Sequence, residues 1–282
     1  MKSFITRLIS GVVLLALAIF LIVTGGNILI LSTVFISIVG LFEFYRVFGL
    51  QKSLPAILGY IVTLLYYAEI HISELESIKP SFVIDTEMLF MVFSLLLLGV
   101  FVIRYPSYNI NEIAVSFFGV IYVCVMLSYI YLTRMEIQNG KYIVWLIFLC
   151  SWGCDTCAYC VGVLFGKHKM SPVLSPKKSV EGAFGGVIGA MLLTFIYTSI
   201  FKANMDLDMK GVIILSLISG VGALFSMVGD LAASAVKRNY GVKDYGKLIP
   251  GHGGILDRFD SMIITAPIVF YLSHLVQELE IL

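Results

Sequence analysis

Long apolar runs separated by short polar connections make up most of the 282-residue sequence. Each run has close to the roughly 20 residues that a helix needs to cross a hydrocarbon layer about 30 Å thick. Hydropathy predicts nine helices, at residues 8–24, 27–45, 54–71, 87–104, 111–133, 142–165, 180–201, 211–236 and 256–276. The predicted fold class is therefore all-α, a polytopic integral membrane protein in which residues 1–282 form a single transmembrane domain.

Composition supports a membrane protein, because 59% of the residues are apolar, only 13% are charged and the mean hydropathy is +0.98. Soluble domains carry about 25% charged residues. The net charge of +1 gives no bulk attraction to nucleic acid, which is not an expected partner. The first apolar run follows Lys2 and Arg7, as a signal peptide would, but it ends in Thr24, Gly25 and Gly26 without a clear cleavage site. We interpret it as a retained helix.

The distribution of positive charge predicts an orientation. If the amino terminus is cytoplasmic, all but five of the 19 Lys and Arg residues fall on the inner side or at adjoining helix ends. The outer side then keeps Lys79, Arg134, Lys141, Lys202 and Lys210. Because cytoplasmic loops carry the excess of Lys and Arg, this orientation is favoured. The polar segment near the carboxyl terminus is then predicted to face the cytoplasm.

Four cysteines, Cys150, Cys154, Cys157 and Cys160, have spacings that resemble thiolate metal ligands. The first three share one stripe of a predicted helix, and Cys160 lies near the edge of that stripe. One continuous helix cannot place four ligands tetrahedrally around one ion. These cysteines are therefore predicted to be small side chains in helix packing.

The same predicted helix carries a polar stripe on another face. Asp155, Tyr159, Gly162 and Gly166 recur at helical spacing, and this stripe is expected to point into the protein. An intramembrane carboxylate needs a partner, so Asp155 is either a functional group or a structural hydrogen-bond acceptor.

A stronger polar stripe lies on the helix predicted at 211–236. It consists of Gly222, Ser226, Asp230, Ser234 and Lys237, mostly at four-residue steps. The alternative to metal or substrate binding is a salt bridge from Asp230 to a neighbouring helix. Binding is favoured because more carboxylates follow nearby.

After Arg238 the chain becomes rich in Gly and Pro, and it then enters a helix whose first turns carry Asp257, Arg258 and Asp260. Carboxylates three residues apart on one helix share a face, and Mg²⁺ prefers one or two carboxylates with waters and phosphate oxygens. The cations of this region would hold phosphates: Lys237, Arg238, Lys243, Lys247 and Arg258. Interfacial snorkelling is the alternative for some of these cations.

A second basic loop, Ser175–Pro176–Lys177–Lys178–Ser179, precedes a glycine-containing helix start. Two lysines beside the amino terminus of a helix suit a phosphate. Because both loops are predicted on one membrane face, they suggest one polyanion site built from both.

The segment SAVKRNYGVKDYGKLIPGHGGILDRFD, residues 234–260, resembles the signature of the phosphatidate cytidylyltransferase family, also called CDP-diacylglycerol synthases. DTCAYCVG at 155–162 and SPKKSVEG at 175–182 are also similar to that family, in the expected order. Ser179 stands where the family is expected to have Thr, and the cysteines replace other small or apolar residues. The specific resemblance covers residues 155–260.

The resemblance implies that phosphatidate attacks the α-phosphate of CTP at the cytoplasmic membrane face, giving CDP-diacylglycerol and pyrophosphate. It implies Mg²⁺, with a second cation possible, on Asp230 and Asp257; Asp260 and Asp155 are weaker candidates. The residues expected to act on the reacting phosphates or to bind substrate are Lys243, Arg258, Ser175, Lys177, Lys178, Lys237, Arg238, His252, Gly253 and Gly254. Residues 1–140 would be the lipid-facing scaffold and 141–282 would carry the site. The expected partners are CTP, phosphatidate, membrane lipid and a second copy of the chain in a homodimer.

Two other classes of protein remain open from the sequence. A CTP-dependent polyprenol kinase would share the nucleotide and the membrane, but it would transfer the γ-phosphate to an alcohol and need a base near the hydroxyl. An ion-coupled transporter would also use intramembrane carboxylates, but no internal repeat is apparent and both lysine loops are predicted on one face.

Overall fold

The computed structural model describes residues 2–74 and 85–279, and these residues are mostly helical. The long helices in these ranges are α1 (Lys2–Thr24), α2 (Gly26–Val47), α3 (Leu54–Glu74), α4 (Thr86–Ile103), α5 (Ile110–Met135), α6 (Gly140–Phe165), α7 (Val180–Ile200), α8 (Met209–Asn239) and α9 (Leu256–Glu278). The eight from α2 to α9 are long and apolar enough to cross a membrane, and Ile9–Thr24 in α1 is a shorter apolar helix. The predicted all-α, polytopic membrane fold is confirmed.

The orientation of the amino terminus stays a prediction. Lys79, one of the five cations predicted on the outer side, lies outside the described residues.

Polar residues in the short connections fix where several helices begin. The side chains of Asp85, Ser179 and Asp208 each accept a backbone N–H from the first turn of α4, α7 and α8. Asn109 and Glu112 form a reciprocal capping box at the start of α5. Such caps satisfy N–H groups that have no partner within the helix, which is why the polar residues lie just outside the apolar runs.

Within residues 2–74 and 85–279, two helices contain π-helical turns that the hydropathy pattern did not predict. One is Val120–Val125 in α5, and the other is Leu149–Gly153 in α6, directly before Cys154 and Asp155. Hydropathy reports apolar content, whereas a π turn is a local change in hydrogen-bond register. The helix that carries the cysteines is thus not regularly α-helical throughout.

A short β-hairpin precedes α7. Strand β1 (Lys169–Ser171) pairs antiparallel with β2 (Ser175–Ser179), so the SPKKS segment, which was interpreted as a loop, is a strand. Glu181 in α7 accepts the backbone N–H groups of Lys167 and His168 and lies 2.6 Å from Nδ1 of His168. These contacts tie the base of the hairpin to the helix that follows.

The chain folds into two compact units, and each unit combines two segments that are not contiguous in the sequence. Unit 1 comprises Met1–Ser128 and Val242–Arg258, and unit 2 comprises Tyr129–Gly241 and Phe259–Leu282. The signature segment at 234–260 therefore contributes residues to both units. The assignment of scaffold and catalytic roles to residues 1–140 and 141–282 stays a prediction.

Within unit 2, small residues bring α6, α7 and α8 close together. A Cβ at Gly222 would lie 2.8 Å from Sγ of Cys150, and one at Gly186 would lie 2.9 Å from Sγ of Cys154. Both thiols are fully buried, and the Cys150 thiol lies 3.3 Å from Oγ of Ser219. The predicted packing role of Cys150 and Cys154 is thus confirmed by their contacts.

Candidate functional site

Unit 2 contains an ionic cluster, defined by Asp155, Lys178, Asp230, Lys237 and Asp260. Nζ of Lys178 lies 2.6 Å from Oδ2 of Asp230 and 4.0 Å from Oδ1 of Asp155. Nζ of Lys237 lies 3.6 Å from Oδ2 of Asp260. The residues come from α6, β2, α8 and α9, so the fold gathers groups that are far apart in the sequence. Five of the predicted site residues are therefore neighbours in one unit.

Lys178 is the central cation of this cluster. Its side chain is 27% exposed, and burial, the largest single effect, lowers the pKa of its ammonium group. The attraction of Asp230, followed by its hydrogen bond and the charges of Asp155 and Asp260, outweighs burial and raises the pKa above 10.5. Lys178 is therefore protonated at neutral pH, and it acts as a fixed positive charge rather than as a base.

The carboxylates of the ionic cluster suit a hard cation. Three carboxylates and two ammonium groups leave one net negative charge, and carboxylate oxygens are the ligands that Mg²⁺ prefers. In the ranges that the structure describes, no group of three or more His, Cys, Asp or Glu side chains is arranged to hold a metal ion. Mg²⁺ commonly takes only one or two protein carboxylates, with waters and substrate phosphates completing the shell. The donor set thus fits a cation that binds together with a phosphate.

Asp257 lies in unit 1, where it organises the glycine loop, defined as residues 242–255. Its side chain is only 5% exposed. Oδ2 of Asp257 accepts the backbone N–H groups of Tyr245, Gly246 and Gly254, at 2.8, 3.3 and 2.9 Å. Three amides on one oxygen satisfy its buried charge and fix the carboxylate's orientation. This anchoring role was not apparent from the sequence, and the predicted metal role of Asp257 stays a prediction.

Glycine is required at Gly253 in this loop. Its φ is +88°, a conformation that other residues rarely adopt, and a Cβ there would lie 2.9 Å from Oδ2 of Asp257. The backbone pairs Ile249 with Gly253, which closes a turn around Pro250 and Gly251. The turn chemistry predicted from the Gly and Pro content is confirmed.

Glu43 and Arg46 on α2 contact the glycine loop, although neither was among the site residues predicted from the sequence. Glu43 is 3% exposed, and its Oε2 accepts the N–H of Leu256 at 2.8 Å. Arg46 donates from Nη2 to the carbonyl oxygen of Tyr245. Glu43 lies inside a predicted membrane helix, where an ionisable residue is costly and usually functional. This signal identified Asp155 and Asp230, and it could have identified Glu43 as well.

A cavity of about 520 Å³ adjoins the glycine loop in unit 1 and is lined by Arg46, Val47 and residues 242–247. Three of the lining residues, Arg46, Lys243 and Lys247, are cationic and exposed, against one acidic residue, Asp244. The cavity therefore favours an anion of the size of a polyphosphate.

The remaining predicted residues lie in varied surroundings. His252 is held by α1, because its Nδ1 lies 2.7 Å from Oγ of Ser10. Ser175 and Arg258 are half-buried, whereas Lys177 and Arg238 are exposed. In α6, Tyr159 is 72% exposed, so the prediction that its stripe points entirely into the protein is wrong at this position. The glycines of the stripe allow a close approach of the segment before α7, since a Cβ at Gly162 would lie 3.1 Å, and one at Gly166 2.7 Å, from Oγ of Ser179.

Comparison with known proteins gives consistent matches. A profile of the cytidylyltransferase family matches residues 5–276. The chain is 39% identical over 176 residues to a phosphatidate cytidylyltransferase of Staphylococcus epidermidis, covering 62% of this chain and 65% of that protein. It is 33% identical over 260 residues to one of Staphylococcus saprophyticus, covering 91% and 94%. It is 31% identical over 271 residues to one of Bacillus subtilis, covering 95% and 97%.

Proposed function

The chain belongs to the cytidylyltransferase family, and on this premise we propose that it transfers the cytidylyl group of CTP to phosphatidate. A phosphate oxygen of phosphatidate forms a bond to the α-phosphorus of CTP, and the bond from that phosphorus to the β-phosphate bridging oxygen breaks. The products are CDP-diacylglycerol and pyrophosphate. The chain is an enzyme of the nucleotidyltransferase class.

The observation that carries this proposal is the pairing of Lys178 with Asp230 at 2.6 Å, within a cluster of three carboxylates and two lysines. Both side chains are only about a quarter exposed, at 27% and 26%. So many charges in an apolar protein are costly even when they are paired, and such residues usually mark a functional site. A phosphate would pair with the lysines of the cluster, and a divalent cation would pair with its carboxylates.

The reaction requires groups that compensate the negative charge of the phosphates, and it does not require a strong base. The attacking phosphate oxygen is already anionic at neutral pH, so no proton has to be removed from it. Lys178 and Lys237 would neutralise charge that develops on the transferred phosphoryl group. In unit 1, Arg46, Lys243 and Lys247 would bind the anionic phosphates in the basic cavity. A polyprenol kinase, by contrast, would transfer the γ-phosphate to an alcohol and would need a base for that hydroxyl.

Within unit 2, Asp230 together with one of the neighbouring carboxylates, Asp155 or Asp260, would hold Mg²⁺, because no three of the described carboxylates are arranged around one ion. The cation would polarise phosphoryl oxygens and offset the repulsion of two polyanions. Lys178 compensates the same carboxylates electrostatically. Asp257 remains a predicted ligand whose orientation is set by three backbone amides.

The protein is an integral membrane protein. Because the relatives that it matches are bacterial, we propose that it lies in the cell membrane. Phosphatidate would keep its acyl chains in the bilayer, and CTP would arrive from the cytosol. We place the site at the cytoplasmic face because the lysine-rich segments follow the positive-inside bias. A homodimer remains a prediction from the family resemblance.

The direct test is incubation of the purified protein with α-phosphate-labelled CTP, phosphatidate and Mg²⁺. We expect a labelled liponucleotide and one unlabelled pyrophosphate per turnover. Label in the lipid fraction requires transfer of the α-phosphate, whereas γ-labelled CTP would label the lipid only for a kinase. Solute flux into proteoliposomes without lipid labelling would favour the transporter and contradict the proposal.

Replacement of Lys178 by Gln tests the ionic cluster without an activity assay. Removing the ammonium leaves the carboxylates uncompensated, so we expect a loss of about 1–2 kcal/mol of stability in metal-free buffer. Mg²⁺ should then raise the melting temperature more in the variant than in the wild type. Because the Lys178 pKa is raised, its stabilising effect is fully present below pH 10.5 and is lost only as the pH rises through the higher folded-state pKa.

The matched control is Lys177→Gln, at the exposed neighbouring lysine. Its melting temperature should equal that of the wild type, and Mg²⁺ should raise the melting temperatures of both proteins by the same amount. Equal Mg²⁺ shifts in Lys178→Gln and the wild type would contradict a cation held by these carboxylates.

A further inference from the structure

Glu43 supplies a cap from one helix to another. It is 3% exposed in α2, and its Oε2 accepts the N–H of Leu256 at 2.8 Å. Leu256 is the first residue of α9, where backbone N–H groups have no partner within the helix. A carboxylate at a helix amino terminus is also favoured by the helix dipole. Glu43 therefore stabilises the end of α9 that carries Asp257.

The Glu43 carboxylate also lies against the backbone of the glycine loop. It fills the space that a Cβ would need at Gly246 and at Gly254, and a Cβ at Gly246 would lie 2.7 Å from Cα of Gly254. The two glycines and the carboxylate are thus in direct contact. The same two glycines donate their N–H groups to Oδ2 of Asp257. Glu43 and Asp257 consequently hold the same two residues of the loop.

The third amide that Asp257 receives is also supported from α2. Tyr245 donates its N–H to Asp257, while its carbonyl oxygen accepts from Arg46. The Tyr245 ring is 1% exposed and stacks on Phe44, with ring centroids 6.5 Å apart. All three residues that donate to Oδ2 of Asp257 are therefore held in place by residues 43–46.

Two carboxylates, Glu43 and Asp257, are buried around this one short loop. Like charges in an apolar region are costly unless backbone donors and cations compensate them. Here the backbone amides that donate to the two carboxylates, and to a smaller extent the charge of Arg46, offset part of that cost. An apolar contact would hold a purely structural loop at lower cost, so the arrangement points to control of the carboxylate's position.

We infer that Glu43 is a positioning residue for Asp257. Glu43 holds Gly246, Gly254 and the start of α9 in place. It thereby sets the orientation of the Asp257 carboxylate toward the reacting phosphates or their cation. The effect on catalysis rests on the proposed cytidylyl transfer. The effect on the loop rests on the contacts alone, so the two can be tested separately.

The test compares Glu43→Gln with the wild type and with Glu69→Gln. Glu69 is a matched control, because it lies in α3 of the same unit and accepts a hydrogen bond from Thr86 at 2.8 Å, not from the loop. Hydrogen exchange of peptides covering residues 243–256 is measured on the full-length protein. Gln replaces the carboxylate by a neutral amide, so the hydrogen bond to the Leu256 N–H becomes weaker and one oxygen against the glycine loop becomes an NH2 group. We therefore expect exchange in this loop to rise about tenfold.

The kinetic measurement is kcat and KM for CTP and phosphatidate over a series of Mg²⁺ concentrations. We expect kcat to fall about 10- to 100-fold in Glu43→Gln, with KM for phosphatidate within about twofold of the wild type. Glu69→Gln should match the wild type in both measurements. A general loss of structure would change exchange in all helices, whereas a positioning effect is confined to the loop and to kcat.

Unchanged loop exchange, or unchanged kcat alongside raised loop exchange, would overturn the inference. If Glu43→Gln unfolds, Glu43→Asp provides the second variant, because it keeps a carboxylate but is one methylene shorter, which draws the charge away from Gly246 and Gly254. Unchanged loop exchange in that variant would also overturn it. Absence of any liponucleotide from the wild type would refute the proposed function, while loop exchange would still decide whether Glu43 holds the loop.

Discussion

Replacement of Asp257 by Asn is expected to reduce liponucleotide formation by about 10²–10³-fold. The side-chain oxygen of Asn can still accept backbone N–H groups, but three amides now face a neutral acceptor instead of a carboxylate. Charge-assisted hydrogen bonds are roughly twice as strong as neutral ones, so the glycine loop loses its fixed geometry. Any contribution of the Asp257 charge to a bound cation is lost as well. Initial rates with labelled CTP measure the combined effect.

The control for this change is Asp85→Asn. Asp85 also accepts a backbone amide at a helix amino terminus, from Met88 at the start of α4, and Asn caps helices about as well as Asp. Asp85→Asn should therefore retain wild-type activity and stability. If Asp257→Asn were fully active, neither the anchoring role nor the metal role of Asp257 would hold.

Replacement of Asp230 by Asn is expected to cause a loss of the same order, about 10²–10³-fold, for a different reason. Asp230 is the partner of Lys178 at 2.6 Å, and removing its charge leaves that ammonium with the more distant Asp155 at 4.0 Å. The ionic cluster then loses its favoured cation ligand and its net negative charge. We expect the melting-temperature rise caused by Mg²⁺ to shrink together with the activity.

Asp206→Asn serves as the control for Asp230→Asn. Asp206 is exposed in the connection before α8, and its φ of 53° suits Asn as well as Asp. The control should show the wild-type Mg²⁺ response and the wild-type rate. A normal Mg²⁺ shift in Asp230→Asn, with activity lost, would argue that Asp230 orients Lys178 and does not hold the cation.

The membrane fold could be predicted from the sequence because each helix satisfies its own backbone hydrogen bonds and its length follows the bilayer thickness. The predicted helices agree with α1–α9 except for a few residues at their ends. The π turns at Val120–Val125 and Leu149–Gly153 were not predictable in this way, since they depend on packing between helices and not on apolar content.

The chemical groups of the site could also be predicted, because charged residues are rare in an apolar chain and each one stands out. Asp155, Lys178, Asp230, Lys237 and Asp260 were all candidates, and the structure brings them together in unit 2. Their pairing was not predictable, because Lys178 reaches Asp230 only through the β-hairpin that precedes α7. Asp230 does form a salt bridge, as the alternative interpretation predicted. Its partner, Lys178, lies on strand β2 and not on a neighbouring helix.

The membrane class, the approximate helix ranges and the family follow from the chain alone, because hydropathy and a contiguous 27-residue signature are local properties of it. Two features depend on the folded structure: Asp257 accepts three backbone amides on one oxygen, and Glu43 contacts the same loop from α2. Glu43 and Leu256 are 213 residues apart in the chain. A hydrogen bond over that separation depends on how helices pack, and packing is a property of the whole fold.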